Sequence, residues 1–238
     1  METTLHPYQR IILQKLMYQP LLTFSELQLK EITSRHFTYH LNQLKTFGFI
    51  EKIDNKYSLT IEGKKFVATV DEKNMLVEKQ PKVSVAIYPE RISKDGSQEI
   101  LLTRRTKQPN YGKVVGISGK LRFGETFEEA ARRELAEETG LSGDFQLRNI
   151  LRKIGYQAKG QNEKNSHTIV LDILFILFSV KNVHGKLIEK TPDQENFWCR
   201  LKDVPRRNDI SETLPYFIKK CRLGKLKNFE VISEMSGY

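Results

Sequence analysis

The chain has 238 residues, 39% of them hydrophobic and 29% charged, which is the balance of a globular protein with one or two domains. Its most apolar stretch, residues 169–180, is too short to cross a bilayer and contains Asp172, which argues against a membrane protein. The N-terminus has no secretory hydrophobic region, and the two cysteines, Cys199 and Cys221, have neither metal-binding nor redox spacing. We therefore expect a cytoplasmic protein in which both cysteines are packing residues.

The net charge of +10 is unevenly distributed along the chain. Residues 1–80 hold 11 basic and 9 acidic side chains, whereas residues 81–238 hold 28 basic and 20 acidic ones. The basic excess of the C-terminal part would steer an anionic substrate towards it. Scattered lysines that only keep the protein in solution would produce the same excess.

The pattern of residues 6–70 predicts a helix, a short helix, a third helix, a hairpin and a last helix. The third helix would bury Phe37, Leu41 and Leu44 and end at Gly48. The predicted bounds are 6–17 for the first helix, a start at Thr23 or Ser25 for the second, a start at Thr33 or Ser34 for the third, 49–53 and 57–60 for the strands, and a start at Thr60 for the last helix.

This order, with a Phe-Ile strand after Gly48 and a Thr-x-x-Gly helix after the hairpin, resembles a winged helix-turn-helix domain. The resemblance implies that the third helix reads DNA. Its side opposite the core carries residue types that contact bases or phosphates, namely Arg35, Thr38, Tyr39 and Asn42. A surplus of two basic residues is small for a DNA-binding domain, however, and winged helices also mediate dimerisation or protein docking.

Residues 71–82 lose regular periodicity, and we predict that 77–82 form a linker between a domain over 1–76 and a domain over 83–238. The second domain mixes strands with helices and is therefore predicted to be α/β. The expected strands cover 83–88, 99–103, 114–117, 145–154, 168–180 and 195–201, the expected helices 126–139 and 210–221, and the segment 229–233 is predicted as an edge strand or a tail.

One predicted helix places its acidic residues where a structural helix would not. Thr126 with Glu129 forms a capping box at its start, and Gly140 reads as a left-handed cap at its end. Three glutamates fall on or beside the stripe of Phe127, Ala130, Ala131 and Leu135, which is predicted to be buried; they are Glu134, Glu137 and Glu138. They repel one another and the negative end of the helix dipole. A divalent cation with oxygen ligands removes these costs together, which predicts a Mg²⁺ or Mn²⁺ site.

The run from Gly119 to Leu141, Gly-x5-Glu-x7-Arg-Glu-Leu-x-Glu-Glu-x-Gly-Leu, resembles the signature of the Nudix hydrolases. The resemblance implies an α/β/α sandwich with a mixed sheet and cleavage of a pyrophosphate bond in a nucleoside diphosphate linked to another moiety. The chain departs from the usual pattern by carrying Ile117-Ser118 where many members have Pro-Gly before the glycine, which affects the expected shape of the loop. The resemblance implies that Glu134, Glu137 and Glu138 are metal ligands, and that one of them or a carboxylate elsewhere is the general base. It also implies that Arg133 orients a glutamate and that Glu125 supports the metal shell. Gly119 would let the backbone approach the metal site, and Lys120 would contact a phosphate.

Further candidates for the site lie outside this signature. Arg104 and Arg105 end a predicted strand and would pair with phosphates, whereas a plain surface role fits them equally well. Asp193 and Glu195 lie in a segment that supplies an extra ligand or base in some members, or they form a solvated acidic loop. The polar loop 158–166 is a candidate rim of the substrate site.

The sequence therefore supports three accounts of function. The first is a magnesium-dependent Nudix hydrolase whose winged helix binds double-stranded DNA. The alternative is a transcriptional regulator that uses the Nudix domain to sense a nucleotide. In the third, residues 1–80 form a homodimer. The signature leaves the substrate open among ADP-ribose, dinucleoside polyphosphates, oxidised nucleoside triphosphates and nucleotide sugars.

Overall fold

The computed structural model describes residues 5–158, 167–223 and 230–235. The chain divides into two compact units, Met1–Lys79 and Gln80–Tyr238, so the boundary falls within the segment 77–82. Each unit has hydrophobic cores of its own. No helix in the described ranges is both long and apolar enough to cross a membrane.

The N-terminal unit begins each of its helices at a polar cap. Thr23, Thr33 and Thr60 accept backbone N–H groups of the first turns of three of them, which satisfies donors that would otherwise have no partner. A two-residue strand that the sequence pattern did not predict pairs with the hairpin to give the sheet order β1-β3-β2. The elements are α1 Pro7–Tyr18, β1 Leu22–Thr23, α2 Phe24–Leu27, α3 Ser34–Thr46, β2 Ile50–Ile53, β3 Lys56–Leu59 and α4 Ile61–Val67.

The C-terminal unit is a mixed sheet in which β4 runs parallel to β9 and β12 parallel to β8, while the other pairs are antiparallel. The order is β10-β11-β5-β4-β9-β8-β12, with β6 on β5 and β7 on β4. The elements are β4 Lys82–Ile92, β5 Gln98–Arg105, β6 Val114–Val115, β7 Ile117–Lys120, α5 Phe127–Thr139, β8 Leu141–Ala158, β9 His167–Gly185, β10 Lys190–Thr191, β11 Gln194–Arg200, a 3₁₀ turn Leu201–Arg206, α6 Leu214–Leu223 and β12 Glu230–Met235.

Helices α5 and α6 cover opposite faces of the sheet. Successive side chains of a strand point to opposite faces, and β4 shows the result. Val85 and Ile87 pack in the core that includes Leu135 of α5, whereas Ala86 and Tyr88 pack in the core that includes α6. The unit is therefore a mixed sheet between helices, in agreement with the predicted α/β fold.

The main differences from the predicted bounds lie at element ends. Strand β8 begins at Leu141, directly after Gly140, because this glycine adopts a left-handed φ of 71° that turns the chain from helix to strand at one residue. Helix α6 begins at Leu214 instead of residue 210, and Pro215 occupies its first turn, where proline's missing N–H costs nothing. The segment predicted as an edge strand or a tail is the strand β12.

Candidate active site

Helix α5 places its signature residues beside strand β7. Its capping box is present, since the Thr126 side chain accepts the Glu129 N–H while the Glu129 side chain accepts the Thr126 N–H. Its buried face consists of Ala130, Ala131, Leu135 and Thr139. Phe127, which the helical pattern placed in this stripe, is 40% exposed, because burial starts only one turn further along the helix.

Arg133 is the centre of an ion-pair network that fixes the acidic side chains. Its Nε and Nη2 donate to the two carboxylate oxygens of Glu125 over 2.5 and 2.8 Å, and its Nη1 donates to Glu134 over 2.6 Å and to Glu137 over 3.3 Å. Nη2 also donates to the carbonyl of Lys120 over 3.2 Å, which ties the helix to β7. The hydrogen bonds from Arg133 lower the pKa of Glu125 to about 2, so this carboxylate is charged at neutral pH.

Glu134 lies directly against the backbone of Gly119. A Cβ atom at Gly119 would come within 1.8 Å of the Glu134 Cδ and within 2.2 Å of both carboxylate oxygens. Only glycine leaves room for the carboxylate at this point of β7. The signature spacing thus corresponds to a steric fit between strand and helix.

Glu138 is partly buried near the end of α5, where residues of β11 contact it. The Nε2 of Gln194 donates to its Oε2 over 3.1 Å, and the Nδ2 of Asn196 donates to its backbone carbonyl over 2.8 Å. Burial raises the pKa of the Glu138 carboxyl to about 7; the hydrogen bond from Gln194 and the charges of Arg105 and Lys107 oppose this rise, while Glu134 adds to it. The surroundings of Glu138 thus disfavour its charged form more than its hydrogen bond and nearby cations favour it.

The three glutamates fit a divalent cation by their chemistry, although their side chains do not converge on one point. Among residues 5–158, 167–223 and 230–235, no group of three acidic, histidine or cysteine side chains is arranged around a common metal position. Glu134 and Glu137 instead face Arg133, and Glu138 faces Gln194. Positions i, i+3 and i+4 nevertheless lie on one face of α5 and offer hard oxygen donors, and Glu138 has no basic side chain within ion-pair distance in the described chain.

A cavity of about 280 Å³ opens beside this end of α5. Glu138, Gly119, Lys120 and Arg105 line it, so a partly buried carboxylate and cationic side chains border the same space. Its lining also includes apolar and aromatic side chains, namely Leu171, Ile173, Phe175, Leu214 and Phe217. The cavity thus combines charged and hydrophobic lining residues, as small-molecule sites commonly do.

The structure places Arg104 away from this cavity, contrary to the role expected for it. Its guanidinium donates to Asp209 over 2.7 Å and to the carbonyl of Gly112 over 3.1 Å. Neighbouring residues of a strand point to opposite faces, and it is Arg105 that lines the cavity. The sequence offered both arginines as phosphate ligands, and of the two Arg105 borders the cavity.

Two polar side chains of β11 that sequence reasoning missed complete the surroundings of Glu138. Gln194 and Asn196 are 1% and 4% exposed, and the Nε2 of Gln194 donates to the Oδ1 of Asn196 over 3.1 Å. Their i, i+2 spacing places both on one face of a strand, which was the available signal. Asp193, which precedes this pair, forms an ion pair with Lys107, and Glu195, which lies between the two, forms one with Lys190. Neither acidic residue therefore contacts Glu138. Most of the proposed rim, residues 159–166, lies outside the described residues.

The residues of the N-terminal unit that were expected to read DNA share one exposed side of α3. Phe37, Leu41 and Leu44 of this helix are buried in the core of the unit. The expected DNA-contacting residues Arg35, Thr38, Tyr39 and Asn42 are all exposed. The Thr38 hydroxyl donates to the carbonyl of Ser34 over 2.8 Å, so its proton is already used in a hydrogen bond within α3.

Comparison with known proteins connects these features to named families. A family model described as NUDIX domain matches residues 79–221, and a domain of unknown function (DUF7347) matches residues 6–70. The chain is similar to the oxidized purine nucleoside triphosphate hydrolase of Danio rerio, with 46% identity over 144 residues that cover 57% of the chain and 83% of that protein. It is also similar to the mouse (Mus musculus) protein of that name, with 32% identity over 129 residues that cover 52% of the chain and 74% of that protein.

Two solved structures share the fold of the C-terminal unit. The MutT protein of Bacillus halodurans aligns with a TM-score of 0.51 and 17% identity, covering 65% of the chain and 90% of that structure. The NUDIX domain of NrtR from Shewanella oneidensis, complexed with ADP ribose, aligns with a TM-score of 0.51 and 16% identity, covering 67% and 96%. At such low identity, these matches support the fold alone.

Proposed function

Because the chain belongs to the Nudix family and is a Nudix-type pyrophosphohydrolase, we propose that it cleaves the pyrophosphate bond of a nucleoside diphosphate linked to another moiety, with oxidised purine nucleoside triphosphates as its principal substrates. The observation that carries the proposal is that Glu138 borders the same cavity as Lys120 and Arg105. A substrate whose phosphates contact these cations would have its scissile bond beside the carboxylates of α5. The similar hydrolases of zebrafish and mouse support the choice of substrate class.

The site residues have distinct roles in this proposal. Glu134, Glu137 and Glu138 would hold Mg²⁺ or Mn²⁺, which when bound supplies neutralisation of phosphate charge and activation of water. Arg133 and Glu125 would keep the carboxylates oriented, and Gln194 would leave one oxygen of Glu138 free while it holds the other. The aromatic side chains of the cavity would receive the base.

The experiment that tests this proposal compares hydrolysis by the parent protein, Glu138→Gln and Glu128→Gln with Mg²⁺ present. Glu128 is an exposed residue of the same helix that pairs with Arg132, which makes it a matched control. We expect Glu138→Gln to lose about 10²-fold or more in kcat/KM, and Glu128→Gln to keep the parent value. Equal rates for parent and Glu138→Gln would refute the site assignment.

The substrate class is tested with the same assay on a panel of compounds. The panel contains an oxidised and an unmodified purine nucleoside triphosphate, ADP-ribose, a dinucleoside polyphosphate and a nucleotide sugar. We expect the oxidised triphosphate to have the highest kcat/KM, with release of the nucleoside monophosphate. A preference for ADP-ribose would overturn the substrate class and leave the hydrolase assignment standing.

For the N-terminal unit we propose a winged-helix fold over residues 1–76 that binds double-stranded DNA through α3. The support is the order of its helices and strands and the exposed row Arg35, Tyr39 and Asn42 beside a buried apolar face. The alternative of a regulator that only senses a nucleotide is less favoured, because the similar curated proteins are named as hydrolases.

DNA binding is tested by a mobility-shift titration with duplex DNA at low ionic strength. We expect Arg35→Ala to weaken binding and to reduce its salt dependence, while Lys65→Ala, which removes an equal charge from α4, does so less. If the parent protein binds no duplex in a salt-dependent way, DNA binding is wrong. Sedimentation of the full chain then tests the remaining account, in which residues 1–80 form a homodimer.

A further inference from the structure

Three histidines of the N-terminal unit form a cluster that neither hydrolysis nor the DNA contacts above explain. His36 and His40 lie one turn apart on α3, with 3.1 Å between their Nε2 atoms. The ring of His6, the residue that caps α1, stacks on the ring of His40 with 4.5 Å between their centres. His40 is only 2% exposed, and its Nδ1 has no hydrogen-bond partner.

We propose that His36 and His40 form a binding site for a divalent transition-metal ion of the Zn²⁺ class. Imidazole nitrogen suits Zn²⁺, Cu²⁺ and Ni²⁺, in contrast to the oxygen ligands of the acidic site. With metal–nitrogen distances of about 2.05 Å, two nitrogens that lie 3.1 Å apart subtend about 98° at the ion. This angle lies between those of octahedral and tetrahedral coordination.

The spacing of the pair suits a shared ion as well as the hydrogen bond that the two rings form without one. Without an ion, one Nε2 must carry a proton and donate it to the other, since two facing lone pairs repel. An ion accepts both lone pairs at once. His36 is exposed and meets the ring of Tyr8 edge-on, whereas the ring of His40 is held by its burial and by the stacked His6.

The protein supplies two ligands to this site. His6 uses its Nδ1 to accept the backbone N–H of Tyr8 over 3.3 Å and acts through its ring stacking. No third histidine, cysteine or carboxylate of the described ranges joins the pair around one metal position. The remaining coordination positions are therefore open to water or to a small ligand.

The site is tested by calorimetric titration of the full chain with ZnCl₂ in excess Mg²⁺, which keeps the carboxylates of α5 occupied. We compare the parent protein with His36→Ala, His36→Gln and His184→Ala, because His184 is an exposed histidine of the other unit. We expect the parent and His184→Ala to bind one equivalent of Zn²⁺ that both His36 variants lose, with a weakening of about tenfold or more. Circular dichroism confirms that the variants are folded.

A spectroscopic readout separates this site from the acidic one. Co²⁺ bound to the parent should give visible absorption of a nitrogen-ligated ion, which should disappear in His36→Ala and persist in Glu138→Gln. Zinc binding of equal strength and stoichiometry in the parent and in both His36 variants would overturn the proposal. So would a parent protein that binds no Zn²⁺ at micromolar concentrations under these conditions.

Discussion

The contact between Gly119 and Glu134 makes the substitution Gly119→Ala an informative perturbation. The added Cβ would lie 2.1 and 2.2 Å from the two carboxylate oxygens of Glu134. An ordinary contact needs about 3.4 Å, so the carboxylate must move by more than about 1 Å. This displacement breaks or distorts the 2.6 Å hydrogen bond from Arg133.

The expected magnitude follows from these distances. Misplacement of a catalytic group by about 1 Å costs on the order of 10²-fold in rate. A charge-assisted hydrogen bond contributes about 1.5–3 kcal/mol, which is the same range. Stability should fall by no more than the contribution of this hydrogen bond, because the displaced atoms are the end of a flexible side chain. We therefore expect kcat/KM to fall about 10²-fold while the melting temperature falls by no more than about 12 °C.

A double-mutant cycle with Glu134→Ala is the decisive assay. Both single variants and Gly119→Ala/Glu134→Ala are assayed with the preferred substrate and Mg²⁺, and all are melted in parallel. In the Glu134→Ala background the added methyl group has nothing to clash with, so Gly119→Ala should cost no further activity. If it lowers kcat/KM by the same factor in both backgrounds, the reasoning from steric fit is wrong.

Two further predictions concern stability. Asn196→Ala removes the donor to two carbonyl oxygens, one of them that of Glu138, and should destabilise the protein by about 2 kcal/mol in chemical denaturation; a loss below about 0.5 kcal/mol would contradict this. Asp209 accepts from Arg207 and Arg104, and these bonds lower its pKa to about 2 from 3.8. Since the folded pKa is depressed, the stabilisation is present above pH 4 and is lost as pH falls towards 2. Thermal melting of Asp209→Asn should therefore show a deficit at pH 6 that shrinks towards pH 2, and a deficit independent of pH would refute the assignment.

The elements of α5 and of the N-terminal unit were largely readable from the sequence because their signals are local. Capping at Thr126, Thr33 and Thr60 depends on residues within one turn. The end of α5 depends on the left-handed conformation of Gly140 alone. The two-residue strand β1, in contrast, forms only because it pairs with β3, and no local sequence pattern predicts this pairing.

The choice between Arg104 and Arg105 shows where local reasoning fails. Both end the same strand, and the pattern of charges does not distinguish them. The register of β5 on β11 pairs Arg105 with Gln194 and Arg104 with Glu195, and this register determines which arginine faces the cavity. A shift of one residue would exchange their roles.

The amino-acid sequence by itself determined the helix that carries the acidic residues, the glycine beside it and the spacing of the glutamates, since all of these depend on neighbours a few residues away. Only the tertiary structure decided how much each carboxylate is buried and what it contacts. Glu138 is held by Gln194, 56 residues further along the chain, because the start of β11 lies beside the end of α5. Contacts between such distant residues arise from strand pairing and packing, and these are properties of the whole unit.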